Sequence, residues 1–168
     1  EEWYYTNRNQ LVAGTIGLLS KPAFISRTIR NNDRNHDGSP AEWSHSFILD
    51  VKEFEGRKRV TVIDSNFGKG VKPSFVSDIV KKADNLIFLI PGCPSHLTQK
   101  ALFDCYDRAE KGIRYDLANG LKGLSNRGFG TNFKITQRDK HDICSDFTKE
   151  PYLTQRMGDF SLLDWVSP

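Results

Sequence analysis

Two alternating stretches around one glycine constrain the fold more than any other part of the sequence. Residues 43–51 alternate between faces and are rich in strand-forming side chains, and residues 59–66 repeat this pattern after a segment that contains Gly56. Two such stretches joined by a short glycine-containing turn predict an antiparallel β-hairpin. Because strand side chains alternate between the two faces of a sheet, the register of this hairpin decides which polar residues meet.

A turn centred between Glu55 and Gly56 brings three polar side chains of the hairpin to one face. In that register His45 lies opposite Asn66 and diagonal to Asp64. A slip of one residue would move Asp64 to the other face. The hairpin therefore predicts a histidine–carboxylate pair, provided that the turn is placed in this way.

The rest of the chain predicts an α+β fold with an antiparallel sheet packed against helices, in a single domain over residues 1–168. Residues 95–112 have the clearest helical pattern, with an apolar stripe that includes Cys105, an N-cap at Ser95 and a stop at Gly112. The other predicted elements are a strand at 11–20, a short helical turn within 21–30, a helix at 74–83 capped by Ser74 after Pro73, a strand at 86–90, a long loop at 117–133, a short helix that opens at Cys144 and is limited by Pro151, and a closing apolar segment at 160–168.

Composition and charge exclude several classes of protein. The net charge is only +3, and basic residues are scattered among acidic ones, which argues against a nucleic-acid partner. No apolar run reaches the about 18 residues that a membrane-spanning helix needs. Three cysteines are too few for a disulfide framework, and an odd number leaves at least one free thiol. No motif indicates a cofactor.

Cys144 is the cysteine with the chemistry of a nucleophile. It follows a polar stretch and opens the predicted helix, with Asp142 available as N-cap. The free N–H groups and the partial positive charge at a helix start favour the thiolate form of a cysteine. The alternative is a buried structural cysteine, which is how Cys105 is interpreted.

A cysteine hydrolase also needs an imidazole and a polar group that orients it. His45 and Asp64 supply both on neighbouring strands, whereas His36 and His96 are predicted to be solvated. His141 is an alternative base three residues before Cys144. A zinc site built on those two residues would need two further ligands, and no suitable spacing is found, so no metal site is predicted there.

The loop over residues 31–40 resembles part of a calcium-binding loop. Asp33, Asn35, Asp37 and Gly38 match the first half of an EF-hand. The twelfth position is Ser44 instead of a bidentate glutamate, and no flanking helix pair is found. An Asx- and Gly-rich turn is the favoured interpretation, with a calcium site of another kind as the alternative.

Five short motifs along the chain occur in an order that is similar to one family. They are Gly14-Thr15-Ile16, Ser44-His45-Ser46-Phe47-Ile48, Val62-Ile63-Asp64, Gly112-Ile113-Arg114-Tyr115-Asp116 and Ile143-Cys144-Ser145-Asp146-Phe147. In this order, with the histidine ahead of the cysteine, the sequence resembles the circularly permuted NlpC-type papain-like cysteine hydrolases of the YiiX/YebB-like kind. Thr15 stands where that family usually has an aspartate, Pro151 shortens the helix, and the loop at 31–40 is longer than the pattern leads one to expect.

The resemblance implies a papain-like fold in permuted order, with the His strand before the Cys helix and the nucleophile at the N-terminus of that helix. It assigns Cys144 as nucleophile, His45 as general base and Asp64 as the residue that orients the imidazole. The predicted substrate-binding positions are Tyr115, Ser44 and Asn66.

The resemblance also implies a function: a thiol peptidase or amidase that cleaves peptide stems of peptidoglycan. The expected setting is a secreted or periplasm-acting bacterial protein, such as an antagonism effector or toxin countered by an immunity protein. One alternative is a lipid ester or acyl-thioester hydrolase or acyltransferase with the same residues. Another is a non-catalytic or calcium-dependent binding module.

Overall fold

The computed structural model describes residues 2–32, 39–66, 69–116, 118, 122, 141–142, 144, 151 and 163–166. Its strands are β1 (Ile16–Ser20), β2 (His45–Phe54), β3 (Arg57–Asn66), β4 (Gly70–Phe75), β5 (Asn85–Pro91), β6 (Arg114–Tyr115), β7 (His141–Asp142) and β8 (Leu163–Val166). Its helices are α1 (Glu2–Asn7), α2 (Phe24–Asn32), α3 (Val76–Val80) and α4 (Ser95–Glu110). A 3-10 turn over Arg8–Gln10 follows α1.

An antiparallel sheet in the order β4-β3-β2-β1-β5-β8 forms the centre of the fold. The strands β6 and β7 pair in parallel in a separate small sheet. The predicted α+β class with an antiparallel sheet and helices is confirmed. No helix of the described part of the chain is long and apolar enough to cross a membrane.

The β2–β3 hairpin has the predicted turn. Phe54 pairs with Arg57, so the turn residues are Glu55 and Gly56, with φ angles of 49° and 69°. Two consecutive positive φ values are typical of the turn that matches the twist of a two-residue hairpin. The ladder then continues in register to the pair of Ile48 with Ile63.

The sheet separates two apolar clusters. One contains Phe47, Leu49, Val62 and Phe88 together with α3, and the other contains Ile48 and Ile63 together with Ala101, Leu102 and Cys105 of α4. Cys105 is fully buried, which confirms that it belongs to the core. On the α4 side the Tyr106 hydroxyl donates a hydrogen bond to buried Asp50, and Lys52 Nζ lies 3.2 Å from the same carboxylate. The Tyr106 hydrogen bond joins α4 to the middle of the sheet, and the Lys52 contact lies within β2.

The predicted helix at 74–83 is wrong in its first part. Residues up to Phe75 belong to β4, and α3 begins at Val76, where Phe75 stands at the N-cap without a side-chain hydrogen bond. Ser74 pairs with Val62 within the sheet and does not cap a helix. Because β4 is the edge strand, its backbone tolerates Pro73, a residue that suggests a turn when only the sequence is read.

Other boundaries also differ from the predictions. The first strand begins at Ile16, because Gly14 has a φ of 85° and the Thr15 hydroxyl donates to the Val12 carbonyl at 2.7 Å, which closes a turn before it. Pro94, and not Ser95, occupies the N-cap of α4. Gly112 has a φ of 64° just after α4, as its predicted role at the helix end requires.

The C-terminal part of the chain is described at a few positions. Cys144 is helical, as predicted, and Pro151 is itself helical and buried, while the residues between them, where the predicted helix would end, lie outside the described residues. The closing apolar segment contributes β8 to the sheet. Most of the loop predicted at 117–133 lies outside the described residues, and so does the calcium-like stretch at 33–38.

Candidate active site

Three strand ends meet at one end of the sheet. Strand β1 ends at Ser20, β2 begins at His45 and β3 ends at Asn66. Leu19, the residue before the end of β1, pairs with His45, and its carbonyl accepts a hydrogen bond from the Ser44 N–H at 3.0 Å. The backbone thus fixes the position from which the His45 side chain leaves the sheet.

His45 and Asp64 form a buried pair at this end. His45 Nε2 lies 3.0 Å from Asp64 Oδ2, and the two side chains are 14% and 2% exposed. The second carboxylate oxygen, Asp64 Oδ1, is buried and has no hydrogen-bond partner among the described residues. A carboxylate held in this way fixes the orientation of the ring and stabilises its protonated form.

Cys144 acts on the same imidazole, because hydrogen bonding by its side chain and its charge both raise the pKa of His45. Because Nε2 faces Asp64, the other ring nitrogen, Nδ1, is the one left for the thiol. The Cys144 carbonyl accepts a hydrogen bond of 2.9 Å from the Ser46 hydroxyl, which ties the backbone of the cysteine to β2. The side chain of Cys144 is partly exposed, so a reagent in solvent can reach this region.

The charges around His45 favour the imidazolium form. Burial of the ring lowers its pKa, but the hydrogen bonds to Asp64 and Cys144 and their charges outweigh burial and raise the pKa from 6.5 to about 9. At neutral pH the ring is therefore protonated. An imidazolium beside a thiol favours the thiolate, which is the nucleophilic form of cysteine.

This raised pKa predicts that stability depends on pH. The pKa of His45 is higher in the folded protein than its ordinary value of 6.5, so protonation of the ring stabilises the fold. This stabilisation is complete below pH 6.5 and is lost as the pH rises through about 9. We expect the free energy of unfolding, measured by urea denaturation, to fall between these two pH values. In His45→Gln the fall over this interval should be much smaller, and an equal fall in both proteins would contradict the assignment.

Tyr115 lies beside the nucleophile. In the small parallel sheet it pairs with Asp142, two residues before Cys144. Burial, followed by the charges of Cys144 and Asp116, raises the pKa of Tyr115 to about 12. Its phenol is therefore neutral and able to donate a hydrogen bond near the thiol.

The two other predicted substrate-binding residues have different surroundings. Ser44 is buried, and its hydroxyl is engaged with that of Ser26 in α2 and with the Leu19 carbonyl at 3.4 Å. Its hydroxyl thus joins α2 to the sheet and is used within the fold. Asn66 is half-buried at the end of β3, where its carbonyl accepts the Lys69 N–H at 3.1 Å.

Two residues at the site were not selected from the sequence. The Ser46 hydroxyl donates a hydrogen bond to the Cys144 carbonyl. The sequence signal that could have identified Ser46 is its position directly after His45. Lys21 comes directly after β1, and its ammonium is influenced by the charges of Asp64 and Cys144. No local pattern marks Lys21, because its place at the site follows from the pairing of β1 with β2.

Within the described residues, neither the remaining histidines nor any group of possible metal ligands forms a second catalytic or metal-binding site. His96 is exposed, as predicted, whereas the side chain of His141 lies outside the described residues together with His36. No group of three or more His, Cys, Asp or Glu side chains suited to a metal ion is found in the part of the chain that the structure describes.

Comparison with known proteins leaves the site to be interpreted from its own geometry. No protein-family model matches the sequence. A search of curated proteins also gives no match.

Proposed function

We propose that the protein is a cysteine hydrolase that cleaves amide bonds by acyl transfer to Cys144. One observation carries the proposal: the chain of hydrogen bonds from Cys144 to His45 and from His45 to Asp64. Nucleophile, base and orienting group come from three separate elements and meet at one end of the sheet. The antiparallel sheet and the position of the His strand ahead of the cysteine support a papain-like domain in circularly permuted order.

In this mechanism the thiolate of Cys144 attacks the scissile carbonyl carbon and forms a tetrahedral intermediate. The Cys144 backbone N–H supplies a donor to the oxyanion, since the residue is helical and its carbonyl is held by Ser46. The His45 imidazolium then protonates the leaving amine, which leaves a thioester on the cysteine. In the second half, neutral His45 takes a proton from water as that water attacks the thioester, and the acid product is released.

The substrate that we propose is the peptide stem of peptidoglycan, on the strength of the motif resemblance. A secreted or periplasm-acting bacterial enzyme, and an immunity protein as partner if it is an antagonism effector, belong to the same proposal. The net charge of +3 agrees with an anionic wall polymer as substrate.

The test is digestion of purified peptidoglycan by the wild type, Cys144→Ala and Cys93→Ala. Cys93 is a partly exposed cysteine outside the site, so its replacement is a matched control. We expect new muropeptides from the wild type and from Cys93→Ala, and loss of product by at least about 10³-fold in Cys144→Ala, because the nucleophile is missing. Equal product from the wild type and Cys144→Ala would refute the proposal.

One observation favours a second substrate class, lipid esters or acyl thioesters, for the same residues. Phe24 and Ile25 at the start of α2 are 83% and 50% exposed, and Ser26 in the same helix contacts Ser44 next to His45. Exposed apolar side chains on a helix that contacts the residue before His45 suit an acyl chain. A kcat/KM that rises with the chain length of acyl esters, in the absence of muropeptide products, would favour this second class.

A further inference from the structure

Three lysines stand at the end of the sheet that carries the candidate site. We refer to Lys21, Lys69 and Lys82 as the lysine cluster. Lys21 directly follows β1, and its backbone N–H donates to the Ser26 hydroxyl at 3.0 Å. Its side chain is half-buried, whereas those of the two other lysines are exposed.

Backbone contacts bring the exposed members of the lysine cluster to this end. Lys82 lies two residues before Asp84, whose N–H donates to the Ser20 carbonyl at 2.9 Å, directly before Lys21. Lys69 lies between β3 and β4, where its N–H donates to the carbonyl of Asn66, the last residue of the strand that carries Asp64, at 3.1 Å. The three side chains therefore come from three separate connections around one sheet end.

The charges of these groups act on one another. Burial lowers the pKa of Lys21, and the charges of Lys82 and Lys69 lower it further. The charges of Asp64 and Cys144 act in the opposite direction. The Lys21 ammonium thus lies within electrostatic range of both the nucleophile and the two other lysines.

Among the described residues, no exposed carboxylate is among the groups whose charges act on Lys21, although Glu42 and Asp84 are exposed at the same end of the sheet. Asp64 is buried and is paired with the His45 ring, which is itself protonated at neutral pH because its pKa is about 9. Of the acidic groups that act on Lys21, Cys144 is the partly exposed one. Within the described residues, the surroundings of Lys21 are therefore mainly positive, and a positive region beside a nucleophile raises the local concentration of anions.

We propose that the lysine cluster is an anion-binding subsite for a carboxylate that the substrate carries next to its scissile bond. This inference rests on the proposed function, since it takes Cys144 as the nucleophile. It narrows the substrate class to acyl donors with a free carboxylate near the cleaved bond, such as acidic peptides. An ammonium binds a carboxylate as a point charge, so the preference is for charge more than for one orientation.

The test compares alkylation of Cys144 by iodoacetate and by iodoacetamide, followed by mass spectrometry of the cysteine peptides. The two reagents have the same size and the same reaction, in which Sγ displaces iodide from the CH₂ carbon, and they differ in the carboxylate. Both reagents react with the thiolate, so the ratio of their rate constants does not depend on the fraction of Cys144 that is ionised. Cys93 in the same sample is the internal reference.

We expect the iodoacetate-to-iodoacetamide ratio at Cys144 to fall about three- to tenfold in Lys21→Met, and by a smaller factor in Lys82→Gln and Lys69→Gln, because charge at short range steers an anionic reagent. Added salt should lower the wild-type ratio as well. Lys81→Gln is the matched control, since Lys81 is exposed and adjacent to Lys82 but does not act on Lys21. Its ratio should equal that of the wild type.

The outcomes separate this inference from the proposed function. If Cys144 is alkylated rapidly but the iodoacetate-to-iodoacetamide ratio is unchanged in the lysine variants, the proposed subsite is wrong. The proposed hydrolase function is not contradicted by that result. An equal fall in Lys81→Gln also overturns the subsite, because the effect would then be one of overall charge. Alkylation of Cys144 no faster than that of buried Cys105 overturns the hydrolase and the subsite with it. If Lys21→Met does not fold, the two exposed lysines decide the test.

Discussion

Replacement of His45 by alanine is expected to lower both the hydrolysis rate and the alkylation rate of Cys144 at neutral pH, the hydrolysis rate by about 10²- to 10⁴-fold. In the proposed mechanism the ring protonates the leaving group, and its charge favours the thiolate of Cys144. Both functions are lost with the ring. The measurements are muropeptide release and the rate of iodoacetamide labelling at Cys144, with circular dichroism to show that the variant is folded.

Asp64→Asn should weaken activity without abolishing it, by about ten- to a hundredfold, because an amide oxygen can still accept a hydrogen bond from Nε2 but carries no charge. The His45 pKa should then lie below its wild-type value of about 9, so the high-pH limit of activity should move down. His96→Ala is the matched control, since this histidine is exposed on α4. Full activity in His45→Ala would overturn the role given to the ring, whatever Asp64→Asn shows.

The His45–Asp64 pair was predictable from the sequence because it depends on local information. The alternation of both strands and the chemistry of the turn at Glu55 and Gly56 fix the hairpin register, and the register puts the imidazole and the carboxylate on the same face. A strand pair with one buried face specifies its register strongly, since a slip of one residue would expose its apolar side chains.

No local feature of the sequence predicts that Cys144 lies close to His45. The two residues are separated by about a hundred positions, and hydrophobic periodicity reports on faces within an element, not on contacts between distant elements. The order of motifs pointed to this meeting, whereas the place of Lys21 at the site became visible only with the strand order. Strand β4 was missed for a similar reason: Pro73 is acceptable because β4 is an edge strand, and edge position is a property of the assembled sheet.

Gly17→Ala is expected to destabilise the fold strongly. Gly17 pairs with Phe47 on β2 and with Phe88 on β5. The two phenylalanine rings pack edge-to-face, with 6.3 Å between their centroids and an interplanar angle of 80°. A Cβ at position 17 would overlap the Phe47 ring. Phe47 is fully buried, so the ring has little room to move. Overpacking of a dense core costs about 1–3 kcal/mol, and we expect a loss near the top of that range by urea denaturation.

A double-mutant cycle separates this overlap from a loss of backbone freedom. Phe47→Leu removes the ring edge that the new methyl group would meet, so Gly17→Ala should cost at least about 1 kcal/mol less in that background than in the wild type. An additive result would mean that the glycine is needed for its backbone and not for the ring. Because Phe47 lies two residues from His45 on the same strand face, displacement of its ring should also slow alkylation of Cys144 in Gly17→Ala. Recovery of that rate in the double variant would show that one close-packed contact across β1 and β2 holds the imidazole in reach of the thiol.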